Sequence, residues 1–166
     1  MQEYIDVVRL QLIPDERLKL EVPVRSPYAA VERFGEELKS YSREVLAALY
    51  LTSKQHVIAI HLVSMGTINQ TMVSPAEILK PALLCNAAGV LLMHNHPSGD
   101  VMPSQEDKLV TSRMKDACEL IGVDLVDHVI VGCNTEDSFS FAEQGLLASK
   151  QSKRCVAERQ GKSRSR

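Results

Sequence analysis

A chain of 166 residues, 45% apolar and 24% charged with a net charge of −2, has the composition of one globular domain large enough for a proper core. It has no Trp and only 4% aromatic residues, which argues against a stacking surface for single-stranded nucleic acid. No apolar run reaches spanning length and the N-terminus is not a charged segment followed by an apolar one, so a cytoplasmic protein without membrane contact is expected.

In chain order, Glu3 to Leu12 and Leu18 to Val24 alternate apolar and polar residues as strands do. Ser26-Pro27 then opens a helix with a buried stripe of Ala30, Val31, Phe34, Leu38 and Tyr41, leaving Glu36 and Glu37 on its solvated side. Glu44 to Leu51 and Gln55 to Val63 read as a hairpin turning at Ser53-Lys54; its His56 and His61 have no ligand spacing. Ser74-Pro75-Ala76-Glu77 has the form of a capping box and opens a helix to about Ala88, which Pro81 should kink or weaken. A strand at Val90 to His94 follows, then a loop marked by Pro97, Gly99 and Pro103, then a helix from Ser104 to Ile121. Strands from Asp124 to Val131 and near Ser138 to Phe141 complete the series. Alternating strands and helices predict an α/β layer fold.

The chemistry concentrates between His94 and Asp107. On an extended strand, residues two apart point to the same side, so His94 and His96 can aim at one point while Asn95 faces away. A catalytic zinc commonly takes three protein ligands and keeps a fourth position for water. Asp107 is the third candidate, because a loop can fold a distant carboxylate back to the strand end. A plainer reading stands beside this one. Ser104 to Asp107 is a variant capping box, and taken alone both residues read as helix caps. Histidine-x-histidine next to Pro97-Ser98-Gly99 is harder to explain by packing.

His-x-His, seven residues, Ser, two residues, Asp resembles the JAMM motif of the JAB/MPN metalloprotease family. His94-Asn95-His96-Pro97-Ser98-Gly99-Asp100, Pro103-Ser104 and Asp127-His128-Val129-Ile130-Val131-Gly132 resemble its RadC branch. The similarity covers roughly residues 24 to 147. It divides the chain into a strand extension (1–23), a RadC-like domain (24–147) and a basic tail (148–166). The resemblance implies the MPN fold, a curved mixed sheet flanked by helices and layered like cytidine deaminases. It also implies one zinc ion on His94, His96 and Asp107. A glutamate that activates the zinc-bound water matches Glu44, which without the resemblance reads as a strand-end residue. Ser104 matches the position that donates a hydrogen bond to the oxyanion. The implied reaction is hydrolysis of a peptide or isopeptide bond in a protein or peptide substrate.

Two polar residues interrupt the strand after the motif helix. Asp127 and His128 read either as support for a ligand's far nitrogen or as a buried pair that fixes the neighbouring loop. Cys85, Cys118, Cys133 and Cys155 show no Cys-x-x-Cys spacing, and a structural zinc built from them is not expected. Residues 148–166 carry seven basic side chains and one acid, a net +6, which leaves −8 on residues 1–147. The last residues have a disordered composition, and such a tail is able to hold phosphate backbones weakly and non-specifically.

Two alternative functions follow. One is a DNA-associated repair protein or metal-dependent nuclease. The helix-hairpin-helix region that longer RadC-like proteins carry is not expected in the short stretch ahead of the domain, which weakens it. The other is a non-catalytic MPN interaction module; the filled Glu44, His94, His96, Ser104 and Asp107 positions argue against that.

Overall fold

The seven residues Val45–Leu51 (β1) are all apolar and all buried, the signature of a strand covered on both faces. Their alternation feeds two cores. Leu46, Ala48 and Tyr50 join Ile78, Val110 and Met114 on one side; Val45, Ala47, Leu49 and Leu51 join Phe34 and Leu38 on the other. Each fully buried aliphatic side chain stabilises the fold by roughly 1.5–3 kcal/mol before the entropy cost of ordering it.

The computed structural model describes residues 27–66 and 73–147. The two N-terminal strands expected from alternation, the basic tail and Cys155 lie outside the described residues. Helix α1 (Pro27–Lys39) precedes β1, which pairs antiparallel with β2 (Val57–Met65). Then come α2 (Pro75–Leu84), β3 (Gly89–His96), α3 (Gln105–Ile121), β4 (Asp124–Gly132) and β5 (Ser138–Ser140). The strands form one mixed sheet in the order β2-β1-β3-β4-β5. Only β3 and β4 run parallel, because α3 carries the chain back across the sheet between them. Helix α1 packs on β3 and β4, while α2 meets β2 and α3. This is the helix-flanked α/β architecture that the resemblance implied.

The elements match the sequence reading with informative differences. Strand β3 runs to His96, so both histidines are strand residues. Helix α2 stops at Leu84 rather than Ala88. Asn86 takes a left-handed φ of 53°, Asn86 N–H donates to Leu83 O and Ala87 N–H donates to Ala82 O, a Schellman ending. Pro81 is followed by three more helical residues. The expected capping box at Ser74 is half formed. Ser74 Oγ accepts from Ala76 N, but the Glu77 carboxylate turns to Lys80 Nζ at 2.7 Å. An exposed lysine three residues on competes with the backbone for that side chain.

Candidate metal centre

Strand alternation places the two histidines. His94 lies opposite Leu46 of β1 and Ile130 of β4, on the sheet face covered by α2 and α3. His96, two residues on, shares that face, and the two Nε2 atoms are 2.9 Å apart. Asn95 faces the α1 side and is fully buried. Its Oδ1 accepts from Val45 N at 2.7 Å and its Nδ2 donates to the carbonyls of Tyr41 and Arg43 at 3.2 and 3.1 Å. Asn95 therefore ties down the segment that leads into β1 and carries Glu44. The sequence reading missed this role. An amide enclosed in an apolar strand must find partners, and that was the available signal.

Helix α3 delivers the carboxylate. Ser104 is the N-cap and Asp107 the third helical residue, and the capping box between them is complete. Ser104 N–H and Ser104 Oγ–H both donate to Asp107 Oδ2, at 2.7 and 2.6 Å. The same box turns the carboxylate to the histidines. Asp107 Oδ1 lies 3.3 Å from His94 Nε2, and Oδ2 lies 3.6 Å from His96 Nε2. The two readings of Asp107 are thus one geometry, in which the cap aims the candidate ligand. Ser104's only hydroxyl hydrogen is directed at Asp107 in this arrangement.

The far nitrogens of both rings are engaged. His96 Nδ1 sits 2.6 Å from the carbonyl oxygen of Asp100, which can only accept, so Nδ1 carries the hydrogen and, in the neutral ring, Nε2 keeps its lone pair. His94 Nδ1 sits 2.9 Å from Nε2 of His128, a fully buried ring on β4. His128 Nδ1 is 2.6 Å from Thr111 Oγ1, which donates to the carbonyl of Asp107 at 2.6 Å. Asp127 belongs elsewhere. It accepts from Ser140 Oγ at 2.5 Å and from Ala142 N at 2.9 Å, anchoring β5 and the turn beyond it. The adjacent pair therefore divides: His128 supports a histidine of the site, and Asp127 fixes a loop.

Burial, then the neighbouring charges, set the electrostatics. Burial pushes His94 well below its ordinary value of 6.5 and His128 down to about 4, so both rings stay neutral. Burial alone would raise Asp107, yet the adjoining His96 and His94 rings and the two hydrogen bonds from Ser104 hold it below the usual carboxylate range. Asp107 in turn raises His96, with the charge of Glu44 adding to the effect. The pocket thus favours a positive charge among its three groups.

Glu44 immediately precedes β1 and is half-buried. Continuing the β1–β3 register by two residues sets it across from His96, on the same sheet face. With Arg43, Gly66, Pro97 and Ser98 it lines an open cleft of about 470 Å³. The motif loop that forms one wall is tied down. Gly99 N–H and Cys133 N–H both donate to His96 O, and Asp100 Oδ1 accepts from Met102 N.

Among the described residues, His94, His96 and Asp107 are the one group of three able to hold a metal ion, with ligand atoms within 4.8 Å of one another. The donor set fits zinc: two imidazole lone pairs and a carboxylate converge in a buried pocket, a repulsive arrangement that a cation relieves. The described cysteines take no part. Cys118 and Cys133 are buried, and Cys85 is half-buried.

Known proteins bear on this site. A UPF0758 protein of Actinobacillus pleuropneumoniae serotype 5b is 41% identical over 129 residues, 78% of this chain and 58% of the relative. A UPF0758 protein of Thermotoga maritima is 39% identical over 138 residues, 83% and 58% of the two chains. A third, of Haemophilus influenzae, is 43% identical over 129 residues, 77% and 58%. The chain spans about 58% of the length of these curated relatives, and their names state no activity. The family model described as "RadC-like JAB domain" matches residues 24–146, a span that contains every candidate site residue, and the chain belongs to that family.

Proposed function

We propose that this chain is a zinc-dependent metallopeptidase that hydrolyses an amide bond, peptide or isopeptide. The observation that supports it most is the convergence of two imidazole lone pairs and the Asp107 carboxylate beside Glu44 at an open cleft. His94, His96 and Asp107 would hold the metal. When bound, zinc supplies Lewis acidity and brings the pKa of water towards neutrality.

The remaining work falls to the chain's own groups. Glu44 accepts a proton from the attacking water and passes it to the departing amine nitrogen. The cleft between the Glu44 segment and the Pro97–Ser98 wall admits the substrate backbone. Ser104 donates to the oxyanion. For that, its hydroxyl leaves Asp107 Oδ2, which keeps the bond from Ser104 N–H. Asp107 therefore stays oriented while the hydroxyl turns.

The test is a cleavage screen on peptide and isopeptide libraries after metal analysis of the purified protein. Stoichiometric zinc, with cleavage that stops on chelation and returns with zinc, is expected. A protein that takes up no divalent metal at these residues would overturn the reading.

A further inference from the structure

We propose that Thr111 and His128 are positioning residues that select the tautomer of His94, leaving its Nε2 lone pair open to a metal. This rests on the reading of His94 as a ligand, but the hydrogen-bond argument is independent of any ion.

One partner in this chain of contacts has no choice of role. The carbonyl oxygen of Asp107 has no hydrogen, so in its 2.6 Å contact Thr111 must donate its single hydroxyl hydrogen. Thr111 Oγ1 can then only accept from the ring nitrogen 2.6 Å away, which makes His128 the Nδ1–H tautomer. His128 Nε2 is left as an acceptor. The contact 2.9 Å away requires His94 Nδ1 to carry the hydrogen, so His94 Nε2 is bare. Each assignment forces the next, and the direction is set by helix backbone. Reversing any bond would place two donors or two acceptors face to face in a fully buried setting.

The relay has a structural economy. Asp107 supplies a carboxylate to the site, and its own carbonyl starts the chain that prepares His94. A shift of the first turn of α3 would misplace the carboxylate and release the tautomer together. Support of a ligand's far nitrogen was one of the two sequence readings of His128; the Thr111 contacts were not legible, because Thr111 reads there as an unremarkable residue within an amphipathic helix.

The test uses the intact chain with 15N-labelled histidine. In the chelated wild-type protein, imidazole NMR should report His94 and His128 both protonated on Nδ1. Thr111→Val keeps the side-chain shape, removes the hydroxyl and frees His128 to reverse. It should populate the Nε2–H form of His94 and weaken zinc binding, read by chelator competition, about 10- to 100-fold. Thr111→Ser should restore both readouts, and His128→Gln, which keeps an acceptor oxygen, should lose less affinity than His128→Leu. Folding is checked by circular dichroism. Wild-type His94 protonated on Nε2, or a folded Thr111→Val protein with wild-type affinity and tautomer, would overturn the proposal. A wild-type protein with the expected tautomers but no zinc binding would sink the metal reading and leave the relay standing.

Discussion

Asp107 couples a helix cap to a charge in the pocket, and its two duties separate by substitution. Asp107→Asn keeps an oxygen for Ser104 N–H but removes the carboxylate. Its stability should fall by only about 1 kcal/mol, as a weakened cap would. Its zinc affinity should fall by more than about 100-fold, since even partners of ligands cost 10- to 100-fold. Urea unfolding of chelated protein and zinc titration check the two separately. Glu44 makes the opposite case. It lies beside the candidate ligands without joining their group, so Glu44→Gln should bind zinc as wild type does while amide cleavage drops by at least about 100-fold. Equal activity in the two proteins would remove Glu44 as the base.

Residue burial also gives a pH dependence for the chelated protein. His128 sits near 4 when folded and near its ordinary 6.5 when unfolded, so between these values the unfolded chain takes a proton that the fold refuses. Stability therefore falls as pH drops through this window, by up to about 3 kcal/mol from this group. His94 is shifted in the same direction. His96 is raised, so its contribution is complete below 6.5 and lost only above it, and it does not oppose the trend. Urea titrations at pH 6.5 and 4.5 should show the loss, and His128→Gln should flatten it.

Among elements, the junction of β4 with the motif loop matters most. A Cβ on Gly132 would lie 2.7 Å from Gly99 O and 3.1 Å from Val101 Cγ1, and would run into the Thr135 side chain. The backbone oxygen cannot swing away as a side chain would. Gly132→Ala should push the loop off β4 at a cost of about 1–3 kcal/mol. The Asp100 carbonyl that fixes His96 moves with it. Lower zinc affinity accompanying lower stability is expected; wild-type affinity in a destabilised protein would show that the loop and the site are independent. Gly99, at φ +83°, meets the other side of this contact and supplies the turn that L residues resist.

At the scale of the molecule, one sheet holds all the candidate groups. β3 carries the histidines, Glu44 leads directly into β1, β4 carries His128, and α3 spans the parallel pair with Asp107 at its first turn. Metal binding should therefore report on the whole fold. A ligand that binds only the native state stabilises it by about 2.7 kcal/mol at 100 times its Kd. The melting temperature should rise with zinc and return on chelation, and the shift should vanish in Asp107→Asn.

Periodicity sufficed for much of this. Continuous apolar runs at Val45–Leu51 and Gly89–Met93 read as strands and are strands covered on both faces, and the spacing of His94, His96, Ser104 and Asp107 already carried the family motif. These are local properties, written in residue order, so a sequence displays them. The start of α2 was read correctly, but its far end and its capping box were misjudged because caps are contests between nearby groups, as when Lys80 takes the carboxylate of Glu77. The roles of Asn95 and Thr111, and the choice between the two readings of His128, depend on tertiary structure. Their partners lie 52, 17 and 34 residues away, at Arg43, His128 and His94, and only strand pairing and the packing of α3 on β4 bring them within hydrogen-bond reach. Which residues can do chemistry is a matter of composition and spacing; which nitrogen bears the proton is decided by the packing of distant chain segments, because a hydrogen bond acts only across about 3 Å.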